Sequence, residues 1–152
     1  MEKILSYVDI GQQEGAKMLI GGKRIPGKGY FIEPTLFVDV KDEMRIASEE
    51  IFGPVMQVLK FSSVNEVIQR ANSTNYGLAA GIVTSSMDNA IHISNGLRTG
   101  CVWVNTYNIF DNAAPFGGYK DSGIGREQGE YGLKNYMETK SVIIARPEEA
   151  LP

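Results

Sequence analysis

The chain has 152 residues, 43% of them hydrophobic, and a formal net charge of -3. Lysines and arginines are interleaved with acids, so no basic face awaits a phosphate backbone, and no apolar run approaches the roughly 20 residues that cross a bilayer; nucleic acid and membrane are excluded as main partners. A single cysteine and a single histidine exclude an internal disulfide and a His/Cys metal cluster, so no metal site is expected.

The opening segment, Met1 to Val8, lacks the charged, long apolar and small-residue regions of a secretory signal. It reads as the start of a cytoplasmic protein, or of a mitochondrial matrix protein whose leader has been removed. Ile4, Leu5 and Val8 fall at helical spacing before Gly11 and Gly15, so the chain is expected to open inside a helix with no capping start of its own, a sign of truncation. Tyr30 to Val38 is rich in aromatic and β-branched residues, and Pro34 makes it either an edge strand or a break between two short strands. Glu43 to Ser48 is expected to form one helical turn.

Val55 to Phe61 has the composition of a buried strand. Ser63 and Glu66 form a capping box that starts a helix, with Val64, Val67, Ile68 and Ala71 as its apolar face. A strand over Leu78 to Thr84, a helix from about Met87 to Leu97 and a buried strand over Cys101 to Asn105 follow. The order strand, helix, strand, helix, strand predicts parallel strands with right-handed crossovers, an α/β fold. No Pro/Gly/Ser linker divides the chain, which reads as one domain or one piece of a larger one. Arg126 to Met137 has a helical pattern, and Ser141 to Ala145 reads as a final strand with no helix to cover it, suited to pairing with another chain.

Between the last two helices lies the most distinctive stretch, Asn105 to Glu127. It is too polar and glycine-rich for a core strand and too aromatic for an idle linker. It follows the carboxyl end of a strand, where α/β folds place ligands, and so reads as the wall of a pocket. Tyr107, Asn108, Phe110 and Phe116 offer shape and hydrogen bonds, but no nucleophile and no paired acid and base. Cys101 sits in the strand Gly100 to Val104 without a helix start or basic partner to lower its pKa, and reads as an inert core thiol. Gly123 to Gly129 has the wrong spacing for a dinucleotide fingerprint and follows a loop instead of a strand.

Four motifs in order carry a family resemblance over essentially the whole chain: Glu49-Glu-Ile-Phe-Gly-Pro-Val55, Asn75-Tyr-Gly-Leu-Ala-Ala80, Gly100-Cys-Val-Trp-Val-Asn105, and Pro115-Phe-Gly-Gly-Tyr-Lys-Asp-Ser-Gly-Ile-Gly-Arg-Glu127. Together they resemble the C-terminal part of an NAD(P)-dependent aldehyde dehydrogenase, of the tetrameric cytosolic and mitochondrial branch that includes retinal and broad-specificity enzymes. The resemblance implies part of the parallel-sheet catalytic domain over residues 1–138, an oligomerisation strand and tail over 139–152, and a cofactor-binding domain upstream of this chain. It implies an oxidoreductase that converts an aldehyde to a carboxylic acid with NAD or NADP, and a homo-oligomer.

Residue by residue, it implies that Glu50 hydrogen-bonds the nicotinamide ribose, that Phe52 packs against the cofactor, that Leu78 lies near the nicotinamide and that Lys3 lies near the adenosine ribose. Asn108, Phe110 and Phe116 would line the substrate tunnel. Glu127 matches a water or proton relay position, and Glu138 an interface acid. The family's nucleophilic cysteine and general-base glutamate lie upstream of these motifs, so the chain alone is expected to be inactive. From the residues alone, Glu50 reads as a solvated charge before a turn, and simple core packing is the other reading of Phe110 and Phe116. The alternative is a catalytically silent oligomerisation or structural module, as some lens crystallins resemble this family.

Overall fold

In the computed structural model the chain forms two compact units, one from Met1 to Thr74 and one beginning at Asn75, a division that no linker in the sequence marks. The structure describes residues 1–145, so the end of the 139–152 tail lies outside the described residues.

The first unit opens on α1 (Glu2–Gln13), whose first residue follows Met1 without a side-chain cap, as expected. Strands β1 (Lys17–Ile20), β2 (Thr35–Val38) and β3 (Val55–Gln57) form one sheet in that order, β1 antiparallel and β3 parallel to β2. Between β2 and β3 the chain makes the short helix α2 (Arg45–Ser48), inside the turn expected over Glu43 to Ser48. Of the two readings of the Pro34 region, the edge strand is corrected and the break is found: Ile32 makes an isolated bridge to Arg24 before Pro34, and the central strand β2 begins at Thr35, after a residue with no N–H to donate. The Thr35 N–H donates instead to Pro54 O at 2.8 Å.

The core of this unit is built from Tyr7, Val8, Ala16, Phe37, Val40, Met44, Ile46 and Ile51. Phe37 and Ile46 are its fully buried side chains, and Gly11 is small enough for α1 to approach both. Val55 to Phe61 is a shorter and wetter strand than its composition predicts, since only Val55–Gln57 pair and Met56 and Phe61 are exposed. Helix α3 (Val64–Ala71) starts at the capping box: Ser63 Oγ accepts from the Glu66 N–H at 3.2 Å, while Glu66 reaches back to the Ser62 N–H at 2.7 Å. Its face is half-buried, with Ala71 exposed.

In the second unit, β5 (Ala79–Ile82), α4 (Met87–Gly96) and β6 (Cys101–Val104) form the expected crossover, with β5 and β6 parallel and in register from Ala79–Cys101 to Ile82–Val104. Ser86 caps α4 through the Asn89 N–H. The short strands β4 (Tyr76–Gly77) and β7 (Tyr119–Lys120) pair antiparallel beside it. Strand β3 pairs with β2 and not with β5, so the strands form separate sheets in place of the continuous parallel run that alternation alone predicts. The helix expected over Arg126 to Met137 is reduced to α5 (Gly129–Leu133) and a 3-10 turn (Lys134–Tyr136). Glu127 instead forms an isolated antiparallel bridge with Phe116, and Gln128 has a positive φ. Ser141 to Ala145 make no ladder within the described residues and are exposed.

Candidate functional site

The site in the second unit begins where β6 stops. The Asn105 N–H still donates to Ile82 O at 2.8 Å, but its backbone turns left-handed (φ 55), and the amide side chain takes over the pairing. Asn105 Oδ1 accepts from the Thr84 N–H and Nδ2 donates to Thr84 O, each at 2.9 Å. A short polar side chain tolerates the left-handed region and imitates a peptide group, so one residue both ends the ladder and aims the next segment. Asn108 makes a second left-handed turn (φ 58).

Those turns assemble an aromatic wall. Trp103 meets Tyr107 and Phe110 edge-on, with centroids 5.2 and 5.7 Å apart, and Phe110 meets Phe116 at 5.3 Å. Such pairs each contribute about 0.5–1.5 kcal/mol beyond simple burial. The Trp103 indole N–H donates to Ile109 O at 2.8 Å and so ties the loop to the strand. Phe110 and Phe116 share a cavity of about 210 Å³ with Cys101, Val102, Trp103, Asp111 and Gln128. Asn108, expected at the same wall, is exposed on the loop and does not line this cavity. Cys101 is half-buried and faces the cavity, where the sequence had suggested a core thiol.

Phe116 also borders a second cavity of about 240 Å³, lined with Leu78, Ser122, Glu127 and Asn135. Three residues singled out from two motifs, Leu78 from one and Phe116 and Glu127 from the other, are thus brought to one concavity. Gly100 lies so close beneath this loop that a β-carbon there would overlap Gly117 O, which packs the start of β6 directly on the Pro115–Gly118 segment. Next to Glu127, Gln128 is held at φ 60, ψ 171, a region almost confined to glycine and costing about 1–3 kcal/mol for other residues. Sequence reasoning missed Gln128 and Trp103. The lone tryptophan was the signal available; for Gln128 the pattern was read as helix.

In the first unit the adjacent acids Glu49 and Glu50 take different roles. Arg45 donates to Glu49 through Nε at 2.7 Å and Nη2 at 3.0 Å, and the Tyr7 hydroxyl donates to Glu49 Oε2 at 2.6 Å. The guanidinium of Arg45, followed by the Tyr7 hydroxyl, lowers the Glu49 carboxyl from 4.5 to about 2, with a smaller contribution from the Lys3 charge. The hydrogen bond to Glu49, followed by burial, raises the Tyr7 hydroxyl, against a lowering by Arg45. Glu49 therefore anchors α1 to α2. Glu50 is exposed and its carboxylate has no protein partner among the described residues. Two residues on, Phe52 is left-handed (φ 59) with its ring 79% exposed, the opposite of what an aromatic in a strained backbone needs for packing. Gly53 then packs against Ile4 of α1. Lys3 is exposed on α1.

A larger concavity of about 340 Å³ in the first unit, walled by Leu59, Phe61 and Val67, contains none of the expected site residues. Its charged groups satisfy each other: Arg70 donates to both oxygens of Asp42, at 2.7 and 3.0 Å, and this lowers the Asp42 pKa.

Comparison with known proteins agrees with the motifs. Residues 1–142 match the model of the aldehyde dehydrogenase family. The chain is 56% identical over 148 residues to the mitochondrial aldehyde dehydrogenase of Mesocricetus auratus, covering 97% of this chain and 30% of that protein. It is also 56% identical over 144 residues to the mitochondrial benzaldehyde dehydrogenase of Antirrhinum majus, 95% of this chain and 27% of that one. Among solved structures, an NAD+ complex of aldehyde dehydrogenase from Bacillus cereus superposes with a TM-score of 0.90 at 55% identity, covering 93% of this chain and 29% of that one. An NAD-dependent aldehyde dehydrogenase from Sinorhizobium meliloti gives 0.93 at 40% identity, covering 96% and 30%. The chain thus spans about 30% of the length of these relatives.

Proposed function

This chain belongs to the aldehyde dehydrogenase family, and from that premise we propose that it forms the substrate wall and part of the cofactor contacts of an oxidoreductase that converts an aldehyde to a carboxylic acid. The observation that carries the reading is the aromatic wall of Phe110 and Phe116 at the carboxyl end of β6, set by ring contact at 5.3 Å. Flat apolar rings hold an aldehyde's tail by contact area while leaving its carbonyl to polar groups. Glu127, fixed beside Phe116, is the proposed water or proton relay, and Asn108 is the proposed polar member of the tunnel.

The first unit supplies residues that fit a nicotinamide dinucleotide. A carboxylate without a partner among the described residues, Glu50, suits the paired hydroxyls of a ribose, and the exposed Phe52 suits a flat aromatic neighbour. Lys3 of the same unit is the proposed contact of the adenosine ribose, and Leu78, from the second unit, is the proposed nicotinamide contact. The bound cofactor supplies the hydride acceptor. NAD is favoured because the similar Bacillus cereus enzyme is an NAD+ complex and the Sinorhizobium meliloti enzyme is NAD-dependent. The compartment proposed is the cytoplasm or the mitochondrial matrix, the second supported by the mitochondrial relatives.

The attacking cysteine and the activating glutamate are proposed to come from the part of the family's chain that precedes these motifs. NADH absorbance after addition of propanal and NAD+ tests the reading. A protein that carries this chain together with that upstream part is expected to produce NADH, and the purified 152-residue chain to produce none; turnover by the chain alone would overturn the division of labour. Within the segment 139–152, Ser141 to Ala145 is proposed as the strand through which copies associate, supported by the exposure of Val142, Ile143 and Ile144 (69, 94 and 81%). The same exposure is what favours the second reading, a silent oligomerisation module.

A further inference from the structure

We propose that Gln128 is a specificity-determining residue of the pocket walled by Phe110 and Phe116, favouring aldehydes whose tail carries a hydroxyl or another hydrogen-bonding group over plain hydrocarbon aldehydes. The proposal rests on the aldehyde reading of that pocket.

Around this cavity the polar groups are few and most are already engaged. The Trp103 N–H is bonded to Ile109 O, and Asp111 Oδ1 accepts from the Ala113 N–H at 2.8 Å. Gln128 lines the same cavity at its solvent-exposed rim, and its side-chain amide has no hydrogen-bond partner among the described residues. An amide both donates and accepts, so it can meet a hydroxyl in either sense.

The backbone holds Gln128 at this wall from both sides. On one side, Glu127 exchanges two backbone hydrogen bonds with Phe116. On the other, the Gly129 N–H donates to Asn112 O and the Gly132 N–H to Gln128 O, both at 2.9 Å. The strained φ and ψ of Gln128 are what reconcile these two sets of bonds. A relaxed backbone would give up one of them. The residue is therefore pre-placed, and a hydrocarbon tail entering the pocket would displace water from the amide without replacing its hydrogen bonds.

Glycolaldehyde and propanal are nearly isosteric and differ at the group in question. In the protein that carries this chain with the family's upstream residues, replacing the amide by a branched hydrocarbon, Gln128→Leu, is expected to lower the ratio of kcat/KM for glycolaldehyde over propanal by about five-fold, through KM. Gln128→Glu, which keeps an acceptor, is expected to retain the preference. An unchanged ratio in Gln128→Leu overturns the proposal. If the unsubstituted protein oxidises neither aldehyde, the aldehyde reading falls, and emission of Trp103 decides the pocket proposal independently. Trp103 is the sole tryptophan of these 152 residues and lines the cavity, so a Trp103→Phe variant serves as the blank for emission from the rest of the protein. Its emission is expected to respond at lower concentration to ethylene glycol than to propanol, and Gln128→Leu to remove that difference; an equal response in both proteins overturns it.

Discussion

Phe116 and Glu127 are joined as an antiparallel pair, the Phe116 N–H donating to Glu127 O at 2.8 Å and the Glu127 N–H to Phe116 O at 2.7 Å. The ring that forms part of the aromatic wall and the carboxylate beside it are therefore positioned by the main chain, independently of either side chain. Glu127→Gln is expected to leave the melting temperature unchanged and to lower turnover in the catalytically complete protein. Glu127→Pro removes the donor and is expected to destabilise the chain by about 3 kcal/mol. Equal losses of stability in the two variants, read by thermal unfolding, would show that the carboxylate itself supports the fold.

Glu49 makes the first unit acid-sensitive. Its folded pKa, about 2, lies below the ordinary carboxylate value of 4.5 because Arg45 and Tyr7 stabilise the charged form. A depressed carboxylate contributes stability that is fully present above the unfolded value and is lost as pH falls from about 4.5 toward 2. Both partners of the Arg45–Glu49 pair are half-exposed, so salt should weaken the effect. Melting curves across that range are expected to show a smaller acid-induced drop for Glu49→Gln than for the unsubstituted chain. Identical slopes would remove Glu49 from the account.

Gly53 is required by a neighbour, not by its own backbone angles. A β-carbon there would lie 2.6–2.9 Å from the side chain of Ile4, so Gly53→Ala must push α1 away from the loop that carries Glu50 and Phe52. A loss of about 1–3 kcal/mol is expected. Adding Ile4→Ala to Gly53→Ala should recover part of it, and a double-mutant cycle with no coupling would exclude the contact as the cause.

Ile143, exposed at 94%, lies in the apolar run proposed to join copies of the chain. Ile143→Asp places a charge on that run and is expected to shift the assembly toward smaller species in light scattering, with the melting behaviour of each chain little changed. An unaltered particle mass would place the interface elsewhere.

The readable features were those set by neighbours in sequence. Helix α3 and helix α4 start where Ser63 and Ser86 can cap them, because a capping hydroxyl reaches only three residues ahead. The parallel pair of β5 and β6 follows from a helix too short to do anything but carry the chain back across the sheet. The loop after Val104 was legible as a site because glycine, asparagine and aromatic residues together fit neither a strand nor a linker. The four motifs made the family legible by the same local logic.

What neighbours in sequence could not decide was settled by contacts between distant residues. Pro34 looked like the mark of an edge, yet the strand after it is central because β1 and β3 arrive on both sides. Glu49 and Glu50 are chemically identical in sequence, and only the arrival of Arg45 and Tyr7 at one of them separates an anchor from an unpartnered carboxylate. Gln128 follows a helical pattern, but the bonds of Phe116 and Asn112 on either side of it outweigh helix propensity and turn it to the cavity wall. By itself the sequence determined where helices begin, the α/β class and the family. The tertiary structure decided which acid, which strand and which amide stand at the site, because those choices depend on which partners the fold brings to each residue, from Arg45 four positions from Glu49 to Tyr7 42 positions away.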